Sequence, residues 1–147
     1  MTYETVFNIA NGAAGLAWVC LIFLPRWRQT DMAILLALIP ALSFAYSALV
    51  FVHFFTVQGG GFGSIAEVRQ LFLSDPVLVA GWIHYLAFDL FVGWWIARAA
   101  DSLGISRIIQ GPLLAATFLF GPLGLLLFQL VKAGMGPVST LSAKAQA

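Results

Sequence analysis

A histidine and an aspartate within one long apolar stretch are the side chains best suited to chemistry in this sequence. His84 and Asp89 lie between Pro76 and Arg98. At about 1.5 Å rise per residue, a helix starting at Pro76 would place Asp89 roughly 20 Å along its axis, inside a hydrocarbon core about 30 Å thick. An ionisable group at that depth is costly, so it should face protein or water and is a functional candidate. Carboxyl and imidazole groups are common general acids and bases, so we predict catalytic roles for both residues.

Helical geometry gathers further side chains around this pair. At about 100° per residue, His84, Tyr85, Phe88 and Asp89 share an arc of roughly 140°. His84 and Asp89 flank that face rather than stack, so one ligand could contact both without a direct bond between them. Tyr85 and Phe88 on this arc are predicted to contact a substrate. Polar residues predicted in the same half of the bilayer add further substrate contacts, namely His53, Tyr46 and Asn11. The alternative is hydrogen bonding that only holds helices together, each bond worth under about 2 kcal/mol.

The composition indicates a membrane protein. Of the 147 residues, 61% are hydrophobic and 9% are charged, whereas soluble domains have about 25% charged residues. The net charge of +1 gives no electrostatic footprint for nucleic acid. The single cysteine, Cys20, excludes a disulfide framework within the chain.

Four apolar runs predict four transmembrane helices, at about 5–24, 31–55, 77–99 and 108–131. We therefore expect an all-α integral membrane protein, a single domain over 1–147 built as a four-helix bundle, with a mobile tail over 134–147. The long connection between the second and third runs predicts a short amphipathic helix, because Ser64 and Glu67 have the spacing of a capping box. Pro40 and the Gly121-Pro122 pair predict kinks in the second and fourth runs.

Four spans would place both termini on the same side of the membrane. Four arginines flank the tight connections on the other side, whereas three basic residues, Arg69, Lys132 and Lys144, lie on the side of the termini. The positive-inside rule then predicts both termini on the non-cytoplasmic side.

Metal and haem chemistry are disfavoured by spacing. His53 and His84 are the two histidines, and neither belongs to a His-x-x-x-His or Glu-x-x-His pair. We expect no cofactor, and no haem or metal on these two residues.

Three segments, FLSD at 72–75, WIHYLAFDLF at 82–91 and FGPLG at 120–124, resemble the abscisic-acid-deficient-4 family of small membrane proteins. The resemblance extends over roughly residues 31–132. Its plant member is needed for neoxanthin formation, and bacterial relatives exist, which implies a bacterial inner membrane for this chain. The family commonly has an arginine shortly after the Asp-Leu-Phe string, where this chain has Trp94 with Arg98 one helical turn later. We include both as predicted substrate contacts.

The resemblance implies a carotenoid or related isoprenoid substrate and a non-redox isomerisation of the epoxide-to-allene type. Asp89 would then donate a proton to the epoxide oxygen, and His84 would remove one from the neighbouring carbon or orient a hydroxyl group. The alternative is a non-catalytic accessory subunit that binds carotenoid or lipid. Expected partners are membrane lipid and a polyene, with a homo-oligomer or a larger membrane complex left open and no nucleic acid.

Overall fold

The computed structural model describes residues 2–135, and every regular element in that range is a helix. The prediction of an all-α fold is confirmed. The predicted mobile tail lies, apart from its first two residues, outside the described residues. The helices are α1 Tyr3–Phe23, α2 Arg28–Met32, α3 Ile39–His53, α4 Ile65–Phe72, α5 Asp75–Ser102, α6 Arg107–Phe120 and α7 Pro122–Gly134.

Three helical segments of the described chain are long and apolar enough to cross a membrane. They are α1, the segment Arg28–Thr56 and α5, with 21, 29 and 28 residues. These segments coincide with the first three predicted spans. Their length follows from uninterrupted apolar sequence, since a helix of about 20 residues spans the hydrocarbon core.

The second of these segments is loosened before Pro40, where the sequence predicts a kink. Residues Ala33–Leu38 are π-helical, and the N–H of Ile39 donates to the carbonyl of Ile34. Proline has no N–H to donate, and its ring clashes with the carbonyl four residues earlier in an α-helix. The wider π-helical turn before Pro40 avoids this clash.

The long connection contains α4. The hydroxyl of Ser64 accepts a hydrogen bond from the backbone N–H of Glu67, at 3.2 Å, and caps the helix. The Glu67 carboxylate accepts in turn from the N–H of Gly63, at 2.9 Å. The position of α4 at the membrane surface stays a prediction.

The fourth predicted span is two short helices rather than one, so the count of four spans is not confirmed. The chain breaks at Gly121, with φ 43° and ψ −92°, a backbone conformation that L side chains rarely adopt. A Cβ built on Gly124 would lie 2.6 Å from the Cα of Thr117, so the chain turns back on itself across seven residues. With 14 and 13 residues, α6 and α7 are each about 20 Å long, shorter than a core of about 30 Å.

The described chain forms two compact units. Unit 1 contains residues 2–15 and 32–88, and unit 2 contains residues 16–31 and 89–135. The core of unit 1 includes Ala10, Ala14, Leu42, Val79, Ile83, Leu86 and Ala87. Buried side chains of unit 2 include Trp18, Leu21, Leu90, Ile96, Leu114 and Phe128. The single-domain organisation stays a prediction.

Candidate functional site

Unit 1 contains an aromatic groove beside His84, with a volume of about 500 Å³. A cavity of this size and lining is typical of sites for small apolar ligands. Among the lining residues that the structure describes, polar side-chain atoms come from Tyr46 and His84 alone. The groove, called here the His84 groove, is lined by Tyr46, Val50, Phe51, Phe54, Phe55, Phe62, Leu71, Phe72, Val77, Ala80, Gly81 and His84.

Helical spacing explains how α5 builds one wall of the His84 groove. Its four lining residues, Val77, Ala80, Gly81 and His84, recur at intervals of three, one and three and so share one helix face. A Cβ on Gly81 would come within 2.6 Å of the Phe72 ring. The missing side chain therefore lets that ring approach the α5 backbone closely.

The His84 imidazole is positioned by two aromatic rings. It stacks on Phe88 with ring centroids 4.6 Å apart, and the Tyr46 ring centroid lies 5.2 Å away. His84 is nevertheless an exposed residue that lines the groove, so a ligand in the groove can contact it. An imidazole held in this way can accept or donate a proton, or bind a hydroxyl group.

Asp89 belongs to unit 2 and is buried, with 8% of its surface exposed. Its carboxylate packs against Gly121, where a Cβ would lie 2.9 Å from Cγ. The break between α6 and α7 therefore makes room for the carboxylate. Since α7 begins at Pro122, the carboxyl group of Asp89 lies beside the N-terminal end of that helix.

Four of the five predicted contact residues of unit 1 lie outside the lining of the His84 groove, namely Phe88, Asn11, His53 and Tyr85. Asn11 accepts a hydrogen bond from the Trp82 indole N–H, at 2.8 Å, and its amide donates to the carbonyl of Phe7. The Nε2 atom of His53 lies 3.2 Å from the Tyr3 hydroxyl. Tyr85 packs against the Trp82 ring. Of the predicted set in this unit, the structure brings Tyr46 and Phe88 to His84. A ligand role for every residue of the set stays a prediction.

The two predicted contact residues of unit 2 converge on a carboxylate that the sequence analysis did not single out. Asp31 is 7% exposed; its Oδ1 atom accepts from the Trp94 indole N–H at 3.2 Å, and its Oδ2 atom pairs with Arg98. The signal was present in the sequence, because a carboxylate at the start of an apolar run must be paired if it is buried.

A second polar network in unit 2 surrounds Arg26. Its guanidinium contacts Asp101 at 3.3 Å, the Gln110 side chain at 2.9 Å and the carbonyl of Leu21. Burial lowers the pKa of Arg26 from its usual value, and the nearby Arg107 acts in the same direction, whereas Asp101 opposes both. Arg107 also donates to the carbonyl of Leu24, at 2.6 Å. The two arginines therefore bind backbone carbonyls at the C-terminal end of α1.

The aromatic residues that enclose the His84 groove were also missed by sequence reasoning. Phe54 and Phe55 close the second spanning segment, and Phe62 follows the glycine run. Phe54 and Phe62 pack with ring centroids 5.1 Å apart. Adjacent phenylalanines at the end of a span were a usable signal, but their common partner in the loop depends on tertiary structure.

Comparison with known proteins gives a family. The profile described as ABA4-like, ABA DEFICIENT 4-like, matches residues 5–128. No curated protein and no solved structure gives a match to the chain. The matched region includes His84, Asp89 and Gly121 and takes in most of the sequence, and the chain therefore belongs to the ABA DEFICIENT 4-like family.

Proposed function

We propose that this protein binds the end ring of a carotenoid or a related polyene in the His84 groove and isomerises it without a redox cofactor. The observation that carries the proposal is the groove itself, an aromatic and aliphatic cavity of about 500 Å³ with two polar side chains, Tyr46 and His84. Membership of the ABA DEFICIENT 4-like family supports a carotenoid-related role.

The size and lining of the groove favour a ring over a whole polyene. A volume of about 500 Å³ accommodates a substituted ring, while a long polyene chain would extend from the groove into surrounding lipid. Phenylalanine side chains offer broad apolar surface to such a ring, and burial of that surface is worth roughly 25 cal/mol per Å². A hydroxyl or epoxide oxygen on the ring would find hydrogen-bonding partners in Tyr46 and His84.

The proposed reaction rearranges an epoxide into an allenic alcohol. A proton is added to the epoxide oxygen as its C–O bond breaks, and a proton is removed from the adjacent polyene carbon. The electrons of that C–H bond form the new double bond, so the formula of the substrate is unchanged and no electron acceptor is needed. We propose His84 as the base and Tyr46, which lines the same groove, as the proton donor. A proton-donating role for Asp89 stays a prediction from the sequence.

Pigment analysis in a carotenoid-producing host tests the proposal. We expect the wild-type protein to convert an epoxy carotenoid into a product of equal mass and different retention time. His84→Ala and Tyr46→Phe should each reduce the product at least about 100-fold, the usual contribution of general acid–base catalysis. Asp89→Asn tests separately the proton donor that the sequence predicts. A normal product yield from His84→Ala would contradict the role of the groove.

A matched pair of variants separates groove binding from general damage to the helix. Phe55→Ala removes a groove-lining ring, whereas Phe44→Ala removes an exposed ring outside the lining. Product or bound pigment should fall in Phe55→Ala and remain at the wild-type level in Phe44→Ala.

The second candidate is a non-catalytic polyene-binding subunit. The apolar character of the lining favours it, because two polar side chains suffice to orient a ligand without reaction. Pigment that copurifies unchanged with the wild-type protein, and is lost in Phe55→Ala, would support binding without catalysis.

A further inference from the structure

We propose that a second cavity of unit 1 binds the ammonium headgroup of a zwitterionic membrane lipid. The cavity has a volume of about 500 Å³ and is lined in part by Tyr3, Glu4, Phe7, Asp75 and Trp82. None of its lining residues belongs to the His84 groove, so this inference is independent of the proposed function. It is called here the N-terminal cavity.

The charge of the N-terminal cavity favours a cation. Glu4 and Asp75 contribute two carboxylates, and the described lining contains neither lysine nor arginine. Both carboxylates lie in the first turn of a helix, α1 and α5, where the helix dipole alone would explain them. The helix dipole does not explain why the two carboxylates line the same cavity, where two negative charges together attract a cation.

Aromatic rings supply the second element of the N-terminal cavity. Phe7 and Trp82 pack with ring centroids 5.7 Å apart, and Tyr3 completes the aromatic part of the lining. The indole N–H of Trp82 donates to Asn11, which fixes the orientation of the ring. Aromatic faces beside carboxylates attract ammonium groups through cation–π interaction, as in known choline sites.

The depth of the N-terminal cavity identifies the source of that ammonium group. Glu4 and Asp75 begin two helices of spanning length, so they lie at the level of lipid headgroups. Trp82 is seven residues, or about 10 Å, deeper along α5, the region where tryptophan contacts the interface. Phe7 and Leu78 continue the lining with apolar surface. The lining thus changes from carboxylates at the headgroup level to apolar side chains deeper in the membrane. A lipid with its ammonium group at the carboxylates and its acyl chains along the apolar side chains fits this change.

Native mass spectrometry of the full-length protein with matched dioleoyl lipids tests the proposal. Phosphatidylethanolamine, phosphatidylcholine and phosphatidylglycerol carry primary ammonium, quaternary ammonium and no ammonium group, respectively. We expect the wild-type protein to retain one or both ammonium lipids about threefold to tenfold better than phosphatidylglycerol, as one ion pair and one cation–π contact would give. The ratio between the two ammonium lipids identifies the preferred headgroup.

Variants locate the preference. Glu4→Gln/Asp75→Asn should bring the three lipids within about twofold of each other. Glu67→Gln is the charge control, because Glu67 lies outside the N-terminal cavity and a glutamine can still accept from Gly63. Trp82→Phe should keep the preference and Trp82→Leu should reduce it, which separates a ring effect from a charge effect. Equal retention of all lipids by the wild type, or a preference unchanged in the double variant, would overturn the proposal.

Discussion

Asp31 illustrates how single residues of this protein hold charge in an apolar chain. Its two oxygens are divided between the Trp94 indole and the Arg98 guanidinium, so neither oxygen is left without a donor. The Arg98 side chain is 42% exposed while that of Asp31 is 10% exposed. The pair is therefore half-buried, and removing the carboxylate should cost less than the roughly 3–5 kcal/mol typical of a fully buried pair.

Substitution of Asp31 measures how much its pairing with Trp94 and Arg98 contributes to stability. Asp31→Asn should lower the free energy of unfolding in detergent by about 1–2 kcal/mol, because the amide N–H₂ group would face one of the two donors, the Trp94 indole or the Arg98 guanidinium. Thermal unfolding followed by tryptophan fluorescence measures the loss. Arg28→Gln, which removes an exposed charge of the same helix, should have little effect. In Asp31→Asn/Arg98→Gln the loss should be smaller than the sum of the single losses, and strict additivity would argue against a coupled pair.

At the scale of elements, the α6–α7 hairpin distinguishes this fold from a simple bundle. Three features meet at its turn: the positive φ of Gly121, the missing N–H of Pro122 and the Asp89 carboxylate against the glycine. Gly124 permits the close return of the chain beside Thr117. The turn is thus specified by small residues and a proline, and it brings Asp89 beside the start of α7.

Two alanine substitutions test the hairpin. Gly121→Ala should destabilise the protein by about 1–3 kcal/mol, because an alanine is strained at this φ and its Cβ would meet the Asp89 carboxylate. Gly111→Ala, in the body of α6, has open space around its Cβ and should be neutral or stabilising by up to about 1 kcal/mol. Equal unfolding midpoints for the two variants would contradict the described turn.

At the scale of the whole molecule, the number of spans decides the topology. Four spans would place both termini on one side, but three helices of the described chain have spanning length. If α6 and α7 enter and leave the membrane from the same side, the N-terminal end of α1 and the C-terminal end of α7 face opposite sides. Three spanning helices therefore do not support the prediction that both termini lie on the same side of the membrane.

Accessibility of single cysteines measures this topology. In a Cys20→Ser background, Thr2→Cys and Gln70→Cys should react with a membrane-impermeant maleimide from one side. Ala133→Cys should react only from the other side, because an odd number of crossings separates it from Thr2. Labelling of all three positions from one side would restore the four-span topology.

The sequence by itself determined which parts of this protein are helical and apolar, and that His84 and Asp89 are chemically conspicuous. Those properties are local: apolar runs of spanning length, proline positions and a family-specific string are all read along the chain. Tertiary structure alone decided which carboxylate pairs with Trp94 and Arg98, and which phenylalanines enclose His84. It also turned the predicted Gly121-Pro122 kink into a hairpin. The physical reason is that a hydrogen-bond partner or a sharp turn depends on atoms distant in sequence, and several pairings satisfy the same local pattern until packing selects one.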